Sequence, residues 1–312
     1  MDGPKSIVTG VAGFIGSHLA EKLLAEGHDV TGIDCLTDYY GKNMKLHNLQ
    51  SLAGKKGFKF LEKDILDVNI AELKPDYVFH LAAQPGVRPS WESFGVYVRQ
   101  NILATQHVLE DLKGSAVKRL VVASSSSVYG DCRIPMKEEY MPMPISPYGV
   151  TKLAAESLCY SYHKSSGMPI TALRYFTVYG PRQRPDMAIN RFIKDVLTGG
   201  TITIYGDGEQ RRDFTYVGDA VKATFLASRS KIGWDVLNIG GSAIHSINEI
   251  IRMIEDAAGK KATVMHTEKQ KGDVAETLAD ITRARRAIGY EPETGIEEGI
   301  KRQVEGQKLL CK

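Results

Sequence analysis

Ser6-Ile7-Val8-Thr9-Gly10-Val11-Ala12-Gly13-Phe14-Ile15-Gly16 joins an apolar run to three glycines spaced by three. Residues 6–9 read as a short buried strand and the glycines follow at once. An amphipathic run then begins, with Ile15, Leu19 and Leu23 on one face and Gly27 as its stop. Three glycines alone are usually a turn, but strand, glycine turn and helix in that order give the triad meaning. Gly10 permits the tight turn, Gly13 lets the backbone approach a pyrophosphate, and Gly16 lets the helix pack closely on the strand. The free N–H groups and positive dipole end of the helix suit phosphates. The acidic partner is Asp34, which ends a second strand-like run over 29–33, near the expected ~20 residues further on. A carboxylate there accepts from both adenosine ribose hydroxyls and repels a 2′-phosphate, so the pattern points to NAD rather than NADP.

Working outward, strands are expected at 6–9, 29–33, 58–62, 77–81, 119–123 and 170–174, alternating with helical stretches. That alternation predicts an α/β protein with a Rossmann-type, doubly wound parallel sheet over 1–175. Beyond Thr177 the pattern changes. Residues 201–205 read as a strand, Gly206-Asp207-Gly208 as a turn, and Ser246-Ile247-Asn248-Glu249 as a capping box before a helix over 250–258. Residues 176–312 should therefore form a smaller, mixed α/β domain that covers the substrate. It is expected to be discontinuous, with 214–228 and 236–240 returning to the first domain.

Two features carry chemistry. Ser124-Ser125-Ser126-Ser127 follows the strand 119–123, at the sheet edge where ligands gather in open α/β folds. Tyr148 and Lys152 are four residues apart on a predicted helix over 148–163, so they share a face. A nearby ammonium favours a phenolate, and a tyrosine that ionises near neutral pH is a usable general base. A serine at the strand end can bond a reacting hydroxyl and pass its proton to Tyr148.

Together, Gly10-xx-Gly13-xx-Gly16, the serines and Tyr148-xxx-Lys152 resemble the extended short-chain dehydrogenase/reductase family over essentially the whole chain. The resemblance implies cofactor contacts from Phe14, Ile15, Asp64, Ile65, Leu81, Ala82, Ala83, Asn101 and Tyr175, besides the glycines, Asp34, Tyr148 and Lys152. It implies Ser125 as the catalytic serine, with Ser126 and Ser127 close enough to share the role. It also implies a homodimer, joined by a four-helix bundle built from segments 93–112 and 148–163. Within the family the chain is most similar to nucleotide-sugar 4-epimerases. Arg174-Tyr175-Phe176-Thr177-Val178-Tyr179-Gly180-Pro181 and Arg212-Asp213-Phe214 carry that likeness, as do Gly272-Asp273 and Ala279-Asp280.

Gln84-Pro85-Gly86-Val87-Arg88, Thr177 and Arg184-Pro185-Asp186-Met187-Ala188 resemble the UDP-glucuronate 4-epimerases. The implied substrate contacts are Arg88, Thr177, Arg184, Arg212, Gln270 and Asp273. A uronate carboxylate needs a cationic partner, and Arg184 can offer a bidentate fork. A UDP-glucose 4-epimerase and a UDP-glucuronate decarboxylase are the alternatives. The decarboxylases usually carry glutamate just before Val-Tyr-Gly, where this chain has Ser127.

A net charge of +3 over 312 residues gives no reason to expect nucleic acid. The cysteines, Cys35, Cys132, Cys159 and Cys311, lack Cys-xx-Cys spacing and read as free thiols of a cytoplasmic protein. No apolar run reaches the ~20 residues of a membrane helix, and no signal peptide is expected. The histidines are scattered without ligand spacing, so no metal is expected and His80 and His163 read as packing or surface residues.

Overall fold

The computed structural model of the chain describes residues 3–268 and 275–310. Six strands, β1 (Lys5–Thr9), β2 (Asp29–Asp34), β3 (Phe58–Glu62), β4 (Tyr77–His80), β5 (Arg119–Ser125) and β6 (Ile170–Tyr175), alternate with helices through the first half. With the later strand Trp234–Ile239 they form one seven-stranded sheet, in the order Trp234–Ile239, β6, β5, β4, β1, β2, β3. Every pairing is parallel. Parallel strands covered on both faces must be apolar on both faces. Ile7, Val78 and Leu120 accordingly pack into one core, whereas their neighbours Val8, Phe79 and Val121 pack into another. The chain winds outward from β1 through β2 and β3, then resumes at β4 on the other side of β1. That reversal opens a crevice at the carboxyl ends of β1 and β4.

Most predicted elements are present with shifted ends. The serine run is not wholly loop: Ser124 and Ser125 continue β5, and Ser126–Val128 is a single 3₁₀ turn. The helix expected over 148–163 spans Pro147–Ser166. Ser146 caps it by accepting from the Gly149 N–H at 3.1 Å, Pro147 stands at its first turn, and Gly167 ends it at φ 72°. The segment expected as one helix over 93–112 is interrupted by a π-helical stretch at Val98–Leu103.

A further core gathers Phe192, Ile193, Ile202, Ile250, Ile254, Ile300 and Val304. It lies among the helices Ala188–Thr198, Ile247–Ala258 and Ile296–Leu310 and the parallel pair Thr201–Tyr205 with Thr263–Thr267. Ser246 and Glu249 make the expected capping box, and the helix begins at Ile247, because the cap residue immediately precedes the first turn. Between these elements the chain returns to the large sheet: helix Val217–Ser228 sends Val221 and Phe225 into the core that holds Leu19 and Leu23.

Candidate active site

A cavity of about 430 Å³ fills the crevice at the carboxyl ends of the strands. Helix α1 (Phe14–Ala25) starts at its floor, with Gly13 as an N-cap that has no side chain to offer. Its first-turn N–H groups therefore lack intrahelical partners and face the cavity. Gly10 has φ 71°, and a Cβ there would lie 2.8 Å from the Ala82 nitrogen at the end of β4. A Cβ on Gly16 would overlap the Gly10 carbonyl oxygen. The turn can hold this shape only with glycine at both places. A flat pocket floor with exposed helix N–H groups fits a pyrophosphate.

Gly10, Gly13, Phe14, Ile15 and Gly16 all line the cavity. Asp34 lines it from the end of β2, where its carboxylate accepts from the Leu36 N–H at 2.8 Å and the Ala12 N–H at 3.1 Å. Burial holds the Asp34 pKa above its ordinary value, against the pull of those bonds and of Lys45. Asp64 and Ile65 line it beyond β3. Asp64 caps its 3₁₀ turn through Leu66 and takes Arg99 at 2.7 Å. Leu81, Ala82 and Ala83 follow β4 along the wall, and Tyr175 and Thr177 stand at the end of β6.

Asn101 does not line the cavity. It is buried behind it, where its side chain takes the Gln84 N–H at 2.7 Å and donates to the Gln84 carbonyl and to the Thr151 hydroxyl. Its amide thus joins the cavity wall at Gln84 to the helix that carries Tyr148. Tyr97, one turn earlier, donates to the carbonyls of Pro85 and Gly86 and sets its ring edge-on to Tyr148, with centroids 6.2 Å apart.

Ser125, Ser126, Ser127, Tyr148 and Lys152 meet on the opposite wall. Of the three serines it is Ser125 that acts on the Tyr148 phenol, lowering its pKa, while its hydroxyl oxygen accepts from the Ser127 N–H at 3.1 Å. The expected effect of Lys152 on that phenol is corrected. Burial raises the Tyr148 pKa above its ordinary value, and the opposing influences are the Ser125 hydrogen bond and the charge of Arg184. The two side chains share a helix face, but the Lys152 ammonium reaches past the ring and donates to the Ala123 carbonyl at 2.8 Å. Burial brings Lys152 itself down to about 8. His80 sits behind the site as a packed neutral ring, held by the hydroxyls of Thr9 and Thr105 and brought down to about 3 by burial.

Arg184, in the segment leading to the helix Ala188–Thr198, also lines the cavity. Its guanidinium is paired on two atoms with Asp186, at 3.0 Å for each bond, and the Tyr39 hydroxyl donates to the same carboxylate at 3.3 Å. Burial works against the Arg184 charge, but Asp186 overrides it and leaves the pKa above its ordinary value. Arg88 and Arg212 do not line the cavity. Arg88 is exposed and stacks over the Tyr205 ring at 4.6 Å, and Arg212 donates to the Arg211 and Ala275 carbonyls. Gln270 and Asp273, with the Gly272-Asp273 likeness, lie outside the described residues. Sequence reading missed Tyr39, Tyr40 and Lys45, which form the wall beyond Asp34. Two adjacent tyrosines a few residues past the acidic strand end were the available signal.

A parallel sheet whose switch point carries this glycine cradle defines a nucleotide-cofactor-binding α/β protein. The chain belongs to the NAD-dependent epimerase/dehydratase family, whose sequence model matches residues 6–240. It is 45% identical over 311 residues to a UDP-glucuronate 4-epimerase of Thermodesulfobacterium geofontis, covering 97% of this chain and 95% of that one. It is 44% identical over 308 residues to a Bacillus subtilis protein named an uncharacterized UDP-glucose epimerase, covering 96% of each. The crystal structure of UDP-glucuronic acid 4-epimerase from Bacillus cereus, in complex with UDP-glucuronic acid and NAD, superimposes with a TM-score of 0.94. That pair is 44% identical, covering 98% of this chain and 99% of the other.

Proposed function

We propose that this chain interconverts UDP-glucuronate and UDP-galacturonate by inverting C4 of the sugar. The observation that carries the reading is the approach of Arg184 to Tyr148 in one cavity. A cation able to take a carboxylate on two atoms lines the same cavity as the proton-transferring phenol, and its charge lowers the pKa of that phenol. The relatives that bind or act on UDP-glucuronate support it.

When bound, NAD accepts a hydride from C4 of the sugar, returns it, and sets a positive charge near the phenol. Gly10, Gly13 and the first turn of α1 would hold its pyrophosphate, Asp34 its adenosine ribose and Lys152 its nicotinamide ribose. Tyr148 takes the proton of the 4-hydroxyl, assisted by Ser125, whose influence lowers the pKa of the phenol. The resulting 4-ketopyranose turns about its diphosphate link and presents its other face. Tyr148 then gives the proton back. A 4-keto uronate is a β-keto acid and loses CO₂ when its carboxylate rotates freely. Arg184, with Thr177 beside it in the cavity wall, restrains that rotation. Because oxidation and reduction cancel, the cofactor is regenerated in place and has no need to leave.

UDP-glucose is the second substrate to consider, because one close relative carries that name. Offering UDP-glucuronate, UDP-glucose and UDP-N-acetylglucosamine separately and following products by NMR decides the matter. UDP-galacturonate should form from the first. Pentose and CO₂ instead, or turnover of UDP-glucose alone, would overturn the reading.

We further propose a homodimer through the helical segments 94–112 and 147–166. Phe94, Val96, Leu103, Val150 and Tyr160 are each at least 44% exposed on those segments, more apolar surface than helices facing water usually present. A monomeric mass in sedimentation at micromolar concentration would exclude it. Cys35, Cys132 and Cys159 are unpaired, which supports a reducing compartment such as the cytoplasm. Among the described residues no helix is long and apolar enough to cross a membrane, and no cluster of His, Cys, Asp and Glu could hold a metal ion.

A further inference from the structure

Three consecutive residues at the end of β5 meet three side chains of the helix Pro147–Ser166. The Ala123 carbonyl takes the Lys152 ammonium and the Ser124 hydroxyl donates to the Glu156 carboxylate, while Ser125 lines the cavity with Tyr148 and lowers the pKa of its phenol. Tyr148, Lys152 and Glu156 are spaced by four, so they form one ridge of the helix. Two of these contacts belong to the site described above. The contact of Glu156 lies behind it.

Glu156 is nearly shut off from water, and so is its second partner. Arg174 on β6 donates to it twice, from Nε at 2.9 Å and from Nη2 at 2.7 Å, with side-chain exposures of 4% and 6%. The Arg174 guanidinium lies over the Tyr129 ring at 4.7 Å, and the Tyr129 hydroxyl donates to Asn238 on the neighbouring strand Trp234–Ile239 at 2.7 Å. The network thus ties the catalytic helix to β5, β6 and the strand beyond. A buried ion pair is a weak source of stability, because the desolvation of both charges offsets most of their attraction. Alignment accounts for it better.

We propose that Glu156 is a positioning residue of the epimerisation site. By holding Ser124 and Arg174 together it fixes the height of the β5 end, and so of Ser125, against the helix that carries Tyr148 and Lys152. The inference rests on the 4-epimerase reading. Glu156 also faces Lys152 one turn away. The other groups around that ammonium are Cys159 on the same helix, Tyr148, and His80 from β4, while Arg174 acts on it through Glu156.

Two substitutions separate alignment from bulk stability. Glu156→Gln keeps the shape and an acceptor for Ser124 but removes the charge, and Ser124→Ala removes only the hydroxyl. Each should lower kcat on UDP-glucuronate roughly tenfold, within the range of an ångström-scale misplacement, with KM changed less than about twofold. Both proteins should purify with the wild-type ratio of bound NAD. Glu156→Gln should also move the alkaline limb of kcat to lower pH, since the carboxylate favours the Lys152 ammonium. Ser124→Ala should leave that limb in place. A purely structural role would lower the melting temperature and leave kcat per NAD-loaded molecule and both limbs unchanged, which would overturn the proposal. If Glu156→Gln fails to fold, wild-type kcat in Ser124→Ala overturns it alone. Wild-type enzyme is assayed alongside: no interconversion there defeats the functional reading instead.

Discussion

Replacing Arg184 by glutamine tests the substrate at the atom that distinguishes a uronate from a glucose. A charge-assisted hydrogen bond contributes about 1.5–3 kcal/mol, and a bidentate fork adds geometric selectivity. Arg184 is already satisfied by Asp186, so the sugar carboxylate replaces an existing partner. Side-chain exposures of 21% for Arg184 and 36% for Asp186 screen the pair further. The lower part of the range is therefore expected, about 2 kcal/mol, or roughly a 30-fold loss in kcat/KM for UDP-glucuronate. The Arg184 charge also lowers the Tyr148 pKa, and its removal slows any sugar that uses this base. That common factor cancels when kcat/KM for UDP-glucuronate is divided by kcat/KM for UDP-glucose, both measured by coupled assay or NMR. The ratio should fall roughly 30-fold. An unchanged ratio would show that Arg184 does not meet the carboxylate and would refute the assignment.

Other expectations follow from the same wall of the cavity. Tyr148→Phe should leave NAD bound and reduce kcat by about 10³-fold or more, the scale of a lost acid–base group, and near wild-type turnover would remove the proposed base. Lys152 loses its proton at about 8, so kcat should decline above that pH, as a pH–rate profile will show. An unfolded lysine holds its proton to about 10.4, so the unfolded chain binds more protons between the two values. The Lys152 contribution to stability therefore rises with pH across that window, and the melting-temperature difference between wild type and Lys152→Met should trend accordingly. Gly16→Ala drives a Cβ into the Gly10 carbonyl, and the purified protein should lose its nucleotide, read by release and quantification of NAD.

The sheet was legible in the sequence because parallel strands buried on both faces are dense in apolar residues, and each was punctuated by glycine or a polar turn. Boundaries moved where polar residues continued a strand: Ser124 and Ser125 belong to β5 although their composition suggests a loop. The floor of the cavity was readable because glycine at Gly10 and Gly16 is enforced by backbone contacts local to one turn. What lay beyond reach depended on distance in the fold. Helical spacing placed Lys152 beside Tyr148 but gave no sign that its ammonium would turn to Ala123. Nothing adjacent to Tyr39 in the chain announced a partner at Asp186, 147 residues away. Motif matching picked out Asn101 but gave no sign that its amide would link Gln84 to Thr151, 50 residues further along the chain.

The strand Trp234–Ile239 joins the large sheet only after the chain has already laid down part of its other core. From there the chain departs again for Ile244–Ser246 and the helix Ile247–Ala258. The two halves are thus sewn together by several passes of backbone, not strung on one linker. A single cut of the backbone therefore leaves the two halves covalently joined. Several crossings of the backbone limit how far the two can part, which suits a catalyst that must admit and discharge a sugar nucleotide between rounds.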